Sequence, residues 1–170
     1  MLNLVIVAHP DDEILGFGGS GYAKKMNGEL VQPIILCGKV NARTRKPEDK
    51  LLLEDIEKAN NLLGFNMPVL GDFPNLAMNT IPHLKIVQFI EDQIIKFKPD
   101  RIFTHHPNDL NDDHRQVSNA CIAASRINQR NLNQESIKGI YFMEILSSTE
   151  WAYNNSNLGF NPNIFIDIKQ

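Results

Sequence analysis

Apolar and polar positions along this chain follow two alternating patterns, one typical of β-strands and one typical of α-helices. Residues 2–7 are uncharged and rich in β-branched side chains, which predicts a strand buried on both faces of a parallel sheet. Residues 14–27 have helical periodicity. Further strands are predicted at 30–36, 67–70, 101–104 and 140–145, and further helices at 49–63, 80–97 and 113–126. This order predicts an α/β fold, with three Rossmann-like layers around a mainly parallel sheet.

The C-terminal pattern is less usual. Residues 163–168 have the apolar character of one more strand, and the chain stops two residues later. Such a strand would have no covering helix from its own continuation, so it indicates either an edge strand or a shortened chain, and we favour the shortened chain. The length of 170 residues predicts one domain over residues 1–170.

The composition excludes several classes of protein. A net charge of −3 gives no electrostatic basis for binding nucleic acid or an anionic membrane. No apolar stretch approaches the roughly 18 residues of a membrane span, and the N-terminus lacks the pattern of a signal peptide. Cys37 and Cys121 lack metal-type spacing and are expected to be reduced thiols of a cytoplasmic protein. The oligomeric state stays open, a homo-oligomer included.

Two clusters of polar side chains follow two of the predicted strands. The carboxyl ends of parallel strands meet at one edge of a sheet, where ligands bind, so the clusters are expected to converge. The first cluster, after residues 2–7, is His9, Asp11, Asp12 and Glu13. The second, after residues 101–104, is His105, His106, Asn108, Asp109, Asn111, Asp112, Asp113 and His114.

These residue types suit a hydrolytic metal centre. Catalytic zinc binds imidazole nitrogens and a carboxylate oxygen and keeps one position open for water, whose pKa falls from about 15.7 towards about 7. A further carboxylate can then act as general base. His9, Asp12 and His114, with Asp11 as base, satisfy this requirement, although spacing alone does not decide whether Asp11 or Asp12 is the ligand. The donor set also suits iron or cobalt.

The Ala-His-Pro-Asp-Asp-Glu motif at 8–13, with Asp113-His114, resembles the two signature motifs of the PIG-L/LmbE-like zinc-dependent de-N-acetylases. Residues 147–151 are similar to a bacterial subgroup linked to surface-sugar synthesis. The resemblance implies one zinc ion per chain held by His9, Asp12 and His114, with Asp11 as general base. It implies removal of the acetyl group from an N-acetylglucosamine-type sugar, either a glycoconjugate or a nucleotide-sugar precursor.

One position departs from the family pattern. Several relatives have a histidine three residues before the second-motif ligand, where this chain has Asn111, which cannot deliver a proton at neutral pH. Asp11 could serve as the acid after acting as base, and His105 or His106 could contribute. Asp113 is expected either to cap its helix or to support the site from outside the ligand set. Relatives also continue past the end of this chain.

Three alternative functions fit parts of the sequence. Gly16, Gly18 and Gly21 match a dinucleotide-binding pattern, but the first glycine lies well beyond the end of the strand and the acidic residue that binds ribose is missing, so close helix packing is the better explanation. A metal-dependent phosphoesterase would need two metals and bridging carboxylates, which Asp109, Asp112 and Asp113 could supply. An inactive sugar-binding relative would not need Asp11.

Overall fold

The computed structural model describes residues 1–39, 42, 47–130, 136–151 and 159–169. The alternation of strands and helices predicted above is present, and the α/β fold is confirmed. The five strands within these residues are all parallel and lie in the order β3-β2-β1-β4-β5. The strands are β1 (Leu2–Val7), β2 (Leu30–Ile35), β3 (Val69–Leu70), β4 (Arg101–His105) and β5 (Gly139–Met143), and the helices are α1 (Asp12–Met26), α2 (Asp49–Leu62), α3 (His83–Phe97) and α4 (Asp112–Ala124).

The central strand β1 has an apolar core on each face, because its alternate side chains point to opposite sides of the sheet. Leu4 and Ile6 pack beneath α3 and α4, in one core cluster. Val5 and Val7 pack beneath α1 and α2, in the other. The uncharged sequence of this strand therefore reflects burial on both faces, and the molecule has the three layers that the pattern predicts.

The chain reverses its direction of travel across the sheet between β1 and β4. From β1 it moves outward through β2 and β3, and then returns to place β4 on the other side of β1. The two strands are in register, with Ile6 opposite Thr104. A crevice forms outside the carboxyl ends of strands at such a reversal. Residues 8–13 and 105–114 both begin at this edge.

Several predicted elements differ in extent. The strand expected at 163–168 is wrong: these residues are not paired with any described strand, and Ile164, Phe165 and Ile168 are exposed. An apolar alternation becomes a strand only where a sheet edge offers hydrogen bonds, and this segment contacts helix α1 near Gly19 instead. Helix α3 begins at His83 rather than residue 80, because Pro82 is its N-cap and has a non-helical ψ of 121°. No helix in the described part of the chain is long and apolar enough to cross a membrane.

The glycines of α1 serve close packing and not a phosphate loop. Helix α1 begins at Asp12, so Gly16 already lies inside it. A Cβ on Gly16 would come within 3.2 Å of the Glu144 carbonyl oxygen, and a Cβ on Gly21 would meet the rings of Phe65 and Phe17. The dinucleotide-binding alternative therefore lacks its structural context.

We expect Gly21→Ala to lower the free energy of unfolding by about 1–3 kcal/mol, because the new methyl group would lie only 2.9 Å from Phe17 Cδ1 in a packed core. Gly19→Ala in the same helix is the control. Its Cβ would make ordinary contacts with Ile168, and alanine favours the helix by up to about 1 kcal/mol. Urea unfolding measures both. Equal stability of the two variants would contradict the packing explanation.

Candidate metal centre

Three side chains bring one donor atom each to a single point at the carboxyl edge of the sheet. His9 follows β1, Asp12 opens α1, and His114 lies in the first turn of α4. His9 Nδ1 is 3.3 Å from His114 Nε2 and 3.4 Å from Asp12 Oδ2. His114 Nε2 is 3.3 Å from the same Asp12 oxygen. All three residues are buried, and the set meets the geometric requirement for holding a metal ion.

The donor spacing fits a tetrahedral metal. In a tetrahedron the distance between two donors is about 1.6 times the metal–donor bond, so zinc bonds of about 2.0–2.1 Å require donors about 3.3–3.4 Å apart. The three donor–donor distances in the structure agree with this value. Two imidazole nitrogens and one carboxylate oxygen leave a fourth position, as hydrolytic zinc centres do.

The imidazole of His9 is held from its far side by Asp113. Asp113 Oδ2 accepts a hydrogen bond from His9 Nε2 at 2.9 Å, which leaves the Nδ1 lone pair directed at the donor set. Asp113 itself accepts the backbone N–H groups of Leu76 and Met78. Burial opposes ionisation of Asp113, but these hydrogen bonds together lower its pKa below the usual range. Asp113 thus fixes the ring orientation of His9.

Asp109 fixes the ring orientation of His114. Its Oδ1 lies 3.2 Å from His114 Nδ1, while its Oδ2 accepts the hydroxyls of Ser148 and Thr149 at 3.0 and 2.7 Å. Burial lowers the pKa of His114, but Asp109 and Asp12 outweigh it and raise that pKa to about 9. The sequence alone indicates for Asp109 only the role of a candidate bridging ligand in a two-metal site. The available signal was the 147–151 segment, which supplies both hydroxyls.

Asp12 is the carboxylate at the centre of the cluster. Besides His9 and His114, its Oδ2 lies 3.5 Å from His105 Nε2, and it accepts the backbone N–H of His9. Burial raises the pKa of Asp12, yet the surrounding imidazoles reverse this and hold the pKa well below its usual range. The carboxylate is therefore ionised near neutral pH, the form that binds a cation.

His105 is fully buried and belongs to the site without being one of its three donors. Its Nε2 accepts the backbone N–H of Ala8 at 2.8 Å, so this nitrogen carries no proton. Its ring stacks on His114, with centroids 3.9 Å apart and planes 9° from parallel. Burial, only partly offset by Asp12, lowers the pKa of His105 to about 3.

We expect the His105 ring to remain neutral from pH 8 down to pH 4 in the folded chain, and to titrate near the ordinary value of about 6.5 in the unfolded chain. Below about 6.5 the unfolded state then binds a proton that the folded state does not. This residue therefore makes the free energy of unfolding fall as pH drops, by up to about 1.4 kcal/mol per pH unit. NMR of the ring nitrogens, with and without urea, measures both states. A folded-state midpoint between pH 5 and 7 would contradict this expectation.

Asp11 lies beside the donor set in an uncommon backbone conformation. Its φ is 110°, a region that costs a non-glycine residue about 1–3 kcal/mol. The backbone N–H of Asp11 donates a hydrogen bond to Glu13 Oε2 at 3.1 Å. The other carboxylate oxygen of Glu13 accepts a hydrogen bond from Asn60 Nδ2 at 2.9 Å. The buried Glu13 therefore holds the turn that directs Asp11 towards the cavity.

The remaining predicted site residues have different surroundings. Asn111 lines the cavity and is the N-cap of α4, where its side-chain oxygen accepts the N–H of Asp113 at 3.0 Å. The capping role considered for Asp113 is therefore wrong, because Asn111 fills it.

His106 is not among the cavity-lining residues, and its ring contacts Phe142 and Phe160. Arg43 and Arg45, two cations that a negatively charged substrate group would need, lie outside the described residues.

A cavity of about 450 Å³ opens over the donor set, within the range of about 300–1,000 Å³ that small-molecule sites occupy. Its floor is polar and contains the three donors, whereas part of its wall is apolar. The lining residues are His9, Asp11, Asp12, Leu15, Leu76, Leu110, Asn111, Asp112, His114, Ser147 and Ser148.

Solved structures share this fold at low sequence identity. A conserved protein from Thermus thermophilus has a TM-score of 0.72 at 22% identity over 84% of this chain and 66% of its own. The N,N'-diacetylchitobiose deacetylase of Pyrococcus horikoshii has a TM-score of 0.70 at 18% identity, over 84% of this chain and 60% of its own. This chain therefore spans less than two thirds of the length of either protein.

A third similar structure has a different activity. The 4-carboxy-2-hydroxymuconate hydratase GalB of Pseudomonas putida KT2440 has a TM-score of 0.71 at 18% identity, over 98% of this chain and 72% of its own. The fold alone does not select amide hydrolysis. None of the curated proteins that were searched is significantly similar to this chain.

The sequence itself carries the family assignment. Residues 4–125, nearly three quarters of the chain, match the sequence profile of PIG-L, described as GlcNAc-PI de-N-acetylase. The match covers both signature motifs and the three candidate metal donors, and it confirms the resemblance drawn from residues 8–13 and 113–114. The chain belongs to the PIG-L family.

Proposed function

We propose that this protein is a zinc-dependent hydrolase that removes the acetyl group from an N-acetylglucosamine-type sugar. The observation that carries the proposal is the centre of His9, Asp12 and His114, whose donors are about one tetrahedral edge apart. Membership of a de-N-acetylase family supports the reaction, and the Pyrococcus deacetylase supports a sugar substrate. A bound divalent metal would supply a water acidic enough to be activated near neutral pH and a Lewis acid for the amide carbonyl.

Other residues of the site orient the two imidazoles and transfer the proton. Asp113 and Asp109 keep the two imidazoles oriented with their lone pairs towards the metal position. Asp11, at the cavity wall, accepts the proton of the attacking water as general base. The carbonyl carbon gains the water oxygen, and the carbon–nitrogen bond then breaks to release acetate and a free amine.

The leaving amine needs a proton, and Asp11 is our assignment for its source. Among the described residues that line the cavity, Asn111 has no acidic proton to give at neutral pH, and both imidazoles are engaged with carboxylates. Asp11 holds the proton taken from water in the first step and can return it in the second. His106 has no part in this proposal, because it does not line the cavity.

The arrangement of carboxylates disfavours a two-metal phosphoesterase. Asp109 and Asp113 interact with the two histidine rings, and Asp112 pairs with Arg115 at 2.7 Å. Each carboxylate that could bridge a second metal is therefore engaged elsewhere. One bound metal is expected.

The test is metal content together with acetate release. The purified chain is loaded with zinc, freed of excess metal and assayed on methyl glycosides of N-acetylglucosamine, before and after treatment with a chelator. We expect one zinc ion per chain, and acetate release that chelation abolishes and zinc restores. Two bound ions with phosphomonoester hydrolysis would instead identify the phosphoesterase. A zinc-loaded chain that releases no acetate would overturn the proposal.

A further inference from the structure

Three exposed leucines stand around the opening of the cavity. Leu15 on α1, Leu76 in the loop before α3, and Leu110 in the loop before α4 are 58%, 60% and 50% exposed. All three line the cavity whose floor holds the metal donors. We call them the leucine rim. Large apolar side chains exposed together at the mouth of a polar cavity mark a surface that a ligand covers.

Leu76 is held at the rim in a backbone conformation that disfavours leucine. Its φ is 56°, in the left-handed region that residues with a branched side chain rarely adopt. The conformation is maintained by Asp113, which accepts the N–H of Leu76 and also the N–H of Met78 at 3.0 Å. The same carboxylate orients His9. The position of this leucine is thus tied directly to the metal centre, and strain at such a place indicates function.

The charges around the cavity are unfavourable for an anionic substrate. The described lining residues include the carboxylates of Asp11, Asp12 and Asp112, and they include neither lysine nor arginine. The guanidinium of the nearby Arg115 already forms an ion pair with Asp112 and donates hydrogen bonds to the backbone carbonyls of Asp109 and Leu110. A phosphate at the sugar would therefore meet like charges and find no described cation at the cavity wall.

We propose that the leucine rim determines specificity by binding an uncharged, apolar aglycone of the N-acetylated sugar. This inference rests on the proposed deacetylase function and narrows its substrate class from glycoconjugates in general to glycosides with an apolar group at the reducing end. The polar sugar occupies the cavity with its acetamido group at the metal centre, and the aglycone covers Leu15, Leu76 and Leu110. Nucleotide sugars and sugar phosphates are expected to be poorer substrates than such glycosides.

The first test compares substrates that differ only in the aglycone. Acetate release is measured for methyl and hexyl glycosides of N-acetylglucosamine and for N-acetylglucosamine 1-phosphate. We expect kcat/KM for the hexyl glycoside to exceed that for the methyl glycoside about tenfold or more, since burial of two methylene groups already suffices for a factor of about ten. The phosphate is expected to be the poorest substrate. Equal values for the two glycosides, or a preference for the phosphate, would overturn the proposal.

The second test removes the rim. In the double variant Leu15→Ser/Leu110→Ser the hexyl-to-methyl ratio of kcat/KM should fall towards one. The control is Leu84→Ser, which replaces a leucine of similar exposure, 62%, in the first turn of α3 and should keep the wild-type ratio. A double variant with an undiminished ratio would contradict the assignment.

A binding measurement separates this inference from the proposed function. Calorimetric titration of the zinc-loaded wild type and double variant with the hexyl glycoside needs no turnover. If no glycoside releases acetate, the deacetylase proposal fails. Binding of the hexyl glycoside that weakens about tenfold in the double variant would then still support the rim, whereas equal binding would reject it.

Discussion

Replacing Asp11 by asparagine is expected to lower kcat for acetate release by about 10²–10⁴-fold while zinc content stays at one ion per chain. Asparagine keeps the shape of the side chain but cannot accept the proton of the attacking water. Asp11 is not one of the three grouped donors, so the metal position keeps its ligands. Its backbone N–H can still donate to Glu13, which preserves the turn.

Asp112→Asn is the matched control for this variant. Asp112 also lines the cavity and the substitution removes the same charge, but its carboxylate pairs with Arg115 and is not proposed to move a proton. We expect it to change kcat only a few-fold. Zinc content by mass spectrometry and initial rates of acetate release decide the outcome. An Asp11→Asn enzyme within threefold of wild type would remove Asp11 from the mechanism.

The second large effect is expected for Asp12→Asn, which should weaken zinc binding by more than the roughly 10–100-fold typical of losses outside the ligand set. Asp12 Oδ2 is the oxygen that contacts both metal-site imidazoles, and the amide removes its charge. In the metal-free chain the pKa of His114 should also fall below about 9, because Asp12 is one of the two carboxylates that raise it.

Competition with a chelating dye measures the zinc affinity, and NMR of the metal-free chain measures the pKa of His114. Asp109→Asn supplies the comparison. It leaves all three donors in place and removes only the partner of His114 Nδ1, so its loss of affinity should stay within about 10–100-fold. Asp12→Asn binding as tightly as Asp109→Asn would show that Asp12 is not a ligand.

Local sequence patterns were sufficient for the framework of this molecule. The uncharged residues 2–7 predict a central strand. His9 and Asp12 are only three residues apart, so their proximity follows from the local sequence. The carboxyl ends of parallel strands meet at one edge of a sheet, and this general property predicts that residues 8–13 and 105–114 converge. That β1 and β4 are direct neighbours is a finding of the structure. The roles of these residues in catalysis stay predictions.

Individual side-chain contacts between distant segments do not follow from the sequence. Asp109 is oriented by Ser148 and Thr149, 39 and 40 residues later, and nothing in the spacing within 105–114 indicates that contact. The sequence leaves two roles open for Asp113, helix capping and support of the site. Which residue caps α4 depends on where the helix begins, and a shift of one residue in that start changes the cap. The strand expected at 163–168 failed because alternation describes a side-chain pattern, whereas a strand also needs a partner.

The pairing of β1 with β4 has a consequence for how the molecule is made. His9 and His114 are 105 residues apart, and the pairing of β1 with β4 places the two segments that carry them at the same edge of the sheet. On the ribosome, β1 and β2 emerge early and can pair, whereas the last metal donor appears only when α4 has been synthesised. Completion of the three-donor set therefore comes late in synthesis, since it must follow the slow closure of a long-range strand pair. A nascent chain interrupted before α4 would expose His9 and Asp12 without the partner that completes their binding site.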